Sequence, residues 1–117
     1  MREIIEIVSI VTGVSVENIL AQNRNYTIAD ARKIGMRLMV NYTGLSYPMI
    51  GKAFQRHHSS VMNSHKVALD LIATDKKFAK AYFDSEKLLI SNGYKLVKRK
   101  KAKYKKKKVS KKLKQAA

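Results

Sequence analysis

From Lys98 to Lys114, twelve of seventeen positions are Lys or Arg and none is acidic. Such a block repels itself and offers almost nothing to a core, so it is expected to be disordered, or at most a transient helix, when free. Any fold must therefore be built from residues 1–97, and the chain divides into a folded domain over 1–97 and a Lys-rich tail over 98–117. Of the 25 Lys and Arg in the 117 residues, 13 remain in the first part beside all 8 acids, which leaves a mild surplus of five there out of a net +17. One domain of this size can bury enough surface to fold without a disulfide or a structural metal. With no Cys in the chain, a disulfide framework, a thiolate zinc site and a thiol nucleophile are excluded. No apolar run approaches the roughly 20 residues that span a bilayer, and Glu3 and Glu6 stand where a secretory signal would be basic. The expectation is a soluble, cytoplasmic protein without a membrane partner.

The first part reads as helical almost throughout. Ile4, Ile7, Val8 and Val11 recur at i, i+3, i+4, i+7, and Gly13 is a natural stop. Ser15 can cap a short helix, with Val14 and Ile19 placed as a hydrophobic staple across the cap. Ala21 to Tyr26 is polar and aperiodic, hence a loop. A long helix is expected from Thr27, whose hydroxyl is placed to cap it, with Ile28, Ala31, Ile34, Gly35, Leu38, Met39 and Tyr42 as core candidates. Thr43 and Gly44 close it. Ser46 can cap a short helix that tolerates Pro48 in its first turn, where no intrahelical donor is needed. After the turn at Gln55, Arg56 and His57, a helix from about His58 to Ala73 turns Val61, Ser64, Ala68, Leu71 and Ile72 inward and Ser59, Asn63, Lys66 and Asp70 outward. A last helix, about Asp75 to Ser91, stops at Asn92 and Gly93. Met36, Met39, Met49 and Met62 read as packing residues.

The fold class is therefore all-α, a small helical bundle with a disordered basic tail. A short helix, a tight turn and a longer helix with small polar residues at its start form the layout of a helix-turn-helix, whose second helix can enter a major groove. In a strongly basic chain this layout points to DNA.

Two segments carry a resemblance to a known family. Ile50-Gly51-Lys52-Ala53-Phe54, followed by Arg56-His57-His58-Ser59-Ser60-Val61, is similar to Ile-Gly-x-x-Phe, a short turn, and Arg-Asp-His-Ser/Thr-Thr-Val. Upstream, Arg24 and Ala31-Arg32-Lys33-Ile34-Gly35-Met36 resemble a basic loop and an Ala/Pro-Arg-x-hydrophobic-Ala-Met helix. Both are features of the C-terminal DNA-binding domain of the bacterial replication initiator family DnaA, and the resemblance covers about residues 3–91. It implies a Trp-repressor-like helical domain that reads a short duplex site, in replication initiation or its regulation, or in transcription, and so a nucleoid-associated protein.

Carried over by position, Arg24 would read the minor groove, Arg32 and Lys33 would touch phosphate, and Pro48 would lie near the groove edge. His57, His58, Ser59 and Ser60 would lie at base edges and adjacent phosphates, with Arg56, Asn63 and Lys66 completing the DNA-binding set. An Arg guanidinium suits the negative potential of a narrow minor groove, and Ser hydroxyls can donate to phosphate or base acceptors. This chain departs from the signature twice: His57 replaces Asp, exchanging a carboxylate acceptor for an imidazole, and Gln55 stands where a Gly is expected in a turn one residue shorter. The family's nucleotide-binding module needs a Gly-rich phosphate loop ending in Lys-Ser/Thr. The five glycines here are scattered at 13, 35, 44, 51 and 93. No ATPase, nucleotide or other cofactor is expected, and the domain should act as a monomer.

His57, His58 and His65 lack the Cys or acids that would complete a metal shell. Ser59 or Ser60 beside His58 would need an orienting acid and an oxyanion hole to act as a nucleophile. Neither metal binding nor catalysis is expected. The alternative to a sequence reader is a nonspecific DNA- or RNA-packaging protein in which the basic tail dominates and the helical part is a scaffold.

Overall fold

A computed structural model describes residues 2–21 and 25–97. Among these residues there are six helices and no strand: α1 (Arg2–Thr12), α2 (Val16–Leu20), α3 (Tyr26–Tyr42), α4 (Tyr47–Phe54), α5 (His58–Thr74) and α6 (Lys76–Ser91). The tail expected over 98–117 and the Arg24 position lie outside the described residues.

Most helix ends are set by the residues that the sequence offers for them. Gly13 ends α1 at φ +79°. The Ser15 Oγ accepts from the Asn18 N–H at 3.1 Å and so caps α2, while Val14 and Ile19 on either side of that cap are both buried. Ser46 Oγ accepts from the Met49 N–H at 3.3 Å at the head of α4. Asp75 accepts from the Phe78 N–H at 3.1 Å, so it caps α6 rather than opening it. The start of α3 corrects the sequence reading. Asn25, not Thr27, is the cap, its Oδ1 accepting from the N–H groups of Thr27 at 2.9 Å and Ile28 at 3.4 Å. Asn is at least as good a cap as Thr, and once it closes the helix two residues earlier the Thr27 hydroxyl lies in the first turn.

The core is organised around α3, which contacts all five other helices. That enclosure explains why its buried side chains exceed one helical stripe: Ala31, Ile34, Gly35, Leu38, Met39 and Tyr42 are buried as expected, and Met36 and Val40 with them. Burying side chains of this kind is worth about 1.5–3 kcal/mol for each large aliphatic residue. Ile4 and Val8 of α1, Ile50 and Phe54 of α4, Val61 of α5 and Phe78, Tyr82 and Leu89 of α6 belong to the same buried cluster. Gly35 lets the Phe54 ring lie directly on the α3 backbone, since a Cβ there would stand 3.0 Å from the ring.

Polar bonds fix α5 and α6 on this core. Arg37 Nη1 donates to the His65 carbonyl at 3.0 Å and lies 3.3 Å from His65 Nδ1. The Tyr42 hydroxyl donates to Glu86 at 2.6 Å, and burial together with this bond raises its pKa. Asn41 Nδ2 donates to the Tyr82 hydroxyl at 3.3 Å, and the Asn41 carbonyl accepts from the Val97 N–H at 2.8 Å, which straps the end of the described chain back to α3.

Candidate nucleic-acid interface

The junction of α4 and α5 is built by an unusual backbone at one residue and a missing side chain at another. Helix α4 ends with Gln55 in the left-handed region, φ +57° and ψ +44°, and the Arg56 N–H reaches back to the Gly51 carbonyl at 2.8 Å. This six-to-one bond is the Schellman closure, a position usually given to Gly. Gln55 therefore performs the turn that the sequence signature assigns to glycine. Gly51 is required by the same turn: a Cβ would stand 2.5 Å from the Arg56 carbonyl oxygen and 3.4 Å from the His58 nitrogen. The chain then enters α5 through His57, whose Nδ1 accepts from the Ser59 N–H at 3.2 Å and caps the helix.

What this junction leaves outward is a set of mostly uncharged polar groups. Pro48, His57, His58, Ser59, Asn63 and Lys66 are exposed, and Ser60 is half-buried. The His57 and His58 rings lie against each other, centroids 4.3 Å apart. Ser59, Asn63 and Lys66 share one side of α5, the side turned away from Val61 and Ala68 in the core. Lys33 is half-buried on α3, and its charge acts on Asp30 one turn earlier. Between residues 31 and 69, across most of α3, all of α4 and two-thirds of α5, there are six Lys or Arg and no Asp or Glu. The eight acids lie in the flanking stretches, so this stretch of the chain carries one sign of charge.

Arg32, expected at phosphate, is 8% exposed and is bonded within the fold. Its Nε donates to the Ile19 carbonyl at 2.8 Å and its Nη2 to the carbonyls of Ala21 at 2.8 Å and Asn18 at 3.4 Å. These carbonyls lie in the last turn and cap of α2, where a cation is well placed; that of Asn18 also accepts from the Ala21 N–H at 3.2 Å. Burial, and then the Arg56 charge, lower the Arg32 pKa. Arg56 Nη2 donates to the same Ala21 carbonyl at 2.8 Å, so two guanidinium groups from different parts of the fold hold Ala21, three residues before Arg24.

Two further outward residues differ from the sequence reading. Met62 is 47% exposed on the face shared by Ser59, Asn63 and Lys66, and Met49 is half exposed in the first turn of α4. Met36 and Met39 are buried as expected, whereas Met49 and Met62 are half exposed. The signal for Met62 is its register, one turn after Ser59, which its apolar character masks. Lys52 is also exposed on α4, close in sequence to the turn.

A six-helix, strandless domain whose fourth and fifth helices meet in a tight capped turn, with the head of the fifth left uncovered, is a helix-turn-helix domain. The chain belongs to the family described as bacterial dnaA protein helix-turn-helix, which matches residues 1–67. It is similar to the chromosomal replication initiator protein DnaA of Thermotoga petrophila, 42% identical over 82 residues that make up 70% of this chain and 19% of the relative. The protein of the same name in Thermosipho africanus is 35% identical over 81 residues, 69% of this chain and 18% of the relative. That of Picosynechococcus is 36% identical over 77 residues, 65% of this chain and 17% of the relative. The chain thus spans about a fifth of the length of the curated relatives it matches.

Proposed function

We propose that this domain binds double-stranded DNA as a sequence reader, with the head of α5 in the major groove and Arg24, from the segment before α3, in the adjacent minor groove. In this reading His57, His58, Ser59, Asn63 and Met62 meet base edges, while Ser60, Lys33, Lys52 and Lys66 meet phosphate. Arg56 and Arg32 hold the chain on the approach to Arg24. The process served is replication initiation or its regulation, or transcription, and the role is binding rather than catalysis. Among the described residues no helix is long and apolar enough to cross a membrane.

The observation that carries this reading is the exposed, acid-free head of α5, closed off from the core by a capped turn. Uncharged polar groups there can discriminate bases, and the surrounding cations supply affinity without themselves choosing a sequence. Selection from random duplexes with the full chain at moderate salt tests it. A single enriched motif is expected, with binding to that motif at least about a thousandfold tighter than to unrelated duplex. Binding that is equal on all duplexes and collapses with salt would leave only a tail-driven nucleic-acid binder. Removing residues 98–117 takes away 12 positive charges. It should keep the motif and make the slope of log K against log salt shallower by about 0.9 for each phosphate that the tail no longer neutralises.

A further inference from the structure

The cap of α5 fixes the proton on His57. A backbone N–H can only donate, so the 3.2 Å bond from the Ser59 nitrogen requires Nδ1 of His57 to be an unprotonated acceptor. The Ser59 hydroxyl, 2.9 Å from the same Nδ1, must then donate as well. The neutral ring therefore carries its proton on Nε2, the nitrogen remote from the cap. His57 is exposed, and the neighbouring His58 ring packs against it. What the first turn of α5 offers outward at this position is an N–H donor, with the lone pairs of Ser59 Oγ as the acceptor beside it.

Each base carries its own donor and acceptor pattern in the major groove, where purines present N7 and thymine O4 as acceptors, while cytosine presents only an amino donor. We propose that His57 is a specificity-determining residue that donates from Nε2 to such an acceptor, the N7 of a purine, and rejects cytosine at that place in the site. An acidic cap at the same position would have the opposite polarity, satisfying the same N–H group while turning an acceptor toward the groove. The choice of His over Asp here is thus a choice of base. This inference rests on the reading of α5 as the helix in the major groove.

Two substitutions separate the cap from the reader. His57→Asp keeps a good helix cap and removes the outward donor, whereas His57→Asn keeps both, since its amide oxygen can cap while its amide N–H donates. Selection from random duplexes with the full-length wild-type chain and both variants is the test. Wild type and His57→Asn should enrich a purine at one column of the motif. His57→Asp should replace that purine by cytosine and leave the other columns unchanged. Substituting 7-deazapurine at that column should weaken wild type at least about fivefold and leave His57→Asp unaffected. A His57→Asp motif identical to wild type at every column overturns the proposal while the DNA-reading function stands. A wild-type chain that enriches no motif removes that function and the proposal with it. If His57→Asp fails to fold, a 7-deazapurine scan of the wild-type site decides alone: no sensitive column overturns the proposal.

Discussion

At the end of α2 and again at the head of α5, polar side chains meet the unsatisfied groups of a helix terminus, and they do so with opposite results. At the first place Arg32 and Arg56 converge on carbonyls, both cations are largely engaged by the protein itself, and the chain is held. At the second, one imidazole nitrogen satisfies the N–H group of Ser59, and the polar side chains around it on the first turn of α5 face outward. At these two termini the guanidinium groups hold the frame, and the weakly polar side chains are left exposed.

The largest effect expected from breaking this contrast is at Arg32. Arg32→Ala leaves the carbonyls of Ile19, Asn18 and Ala21 without this donor inside a partly buried junction. The domain should lose about 2–4 kcal/mol of stability, read as the shift of a urea or thermal unfolding midpoint. An Arg32→Ala variant that melts like wild type but binds every duplex more weakly would return Arg32 to the DNA surface and dissolve the distinction between the two regions.

Arg32 also marks where the sequence stops being legible. Local features can be read directly, because a cap or a stop depends on residues within one turn: Ser15, Ser46 and Gly13 all stand where pattern alone puts them, and a turn does follow α4 at Gln55. Asn25 and Thr27 both suit a cap, and pattern alone does not choose between them; the helix begins at Tyr26, so Asn25 is the cap. The direction of the Arg32 side chain is another matter. Its acceptors lie 11 to 14 residues away in the chain, and only the packing of α2 on α3 brings them within reach. Met62 is harder to read for the converse reason, since apolar character argues for burial and only the completed bundle shows that its side chain stays half exposed. The outward polar set of α5 is legible because helical register alone separates Ser59, Asn63 and Lys66 from Val61 and Ala68.

Second in size is Gly51→Ala, which tests the junction between α4 and α5 without touching the outward surface. The new methyl would collide with the Arg56 carbonyl oxygen at 2.5 Å, a backbone atom that cannot swing aside. A loss of about 1–3 kcal/mol is expected in an unfolding titration. If the variant folds at all, its specificity should suffer more than its nonspecific affinity, because the turn sets how α5 is aimed. Full stability in Gly51→Ala would mean that the turn has room the structure does not give it.

Met62→Ala sharpens the other side of the contrast. With Met62 47% exposed, its truncation should change stability by less than about 0.5 kcal/mol. Affinity for the selected duplex should fall by about 1 kcal/mol, roughly fivefold, as the apolar contact with a thymine methyl disappears. Competition binding against a site in which that thymine is replaced by uracil checks the assignment: wild type should lose affinity on uracil and Met62→Ala should not. Equal weakening in both proteins would move Met62 off the reading face.

The smallest effect is a gain. Gln55 holds φ +57°, a conformation that costs an L residue about 1–2 kcal/mol relative to the right-handed region. Gln55→Gly removes that strain but returns about 0.5–1 kcal/mol of backbone freedom to the unfolded chain. The net expectation is a stabilisation of about 0.5–1 kcal/mol, while Gln55→Ala, which keeps a Cβ in the same conformation, should gain nothing. The pair separates backbone strain from any effect of the exposed Gln side chain, because both variants remove that side chain and only one relieves the strain. Measured on the selected duplex, the two also ask whether Gln55 belongs to the frame or to the reading surface. Equal weakening of binding in both variants would place its amide among the groups that face DNA. Unchanged binding beside a gain confined to Gln55→Gly would leave it as a residue that accepts strain to aim α5 in a place where glycine would do so without it.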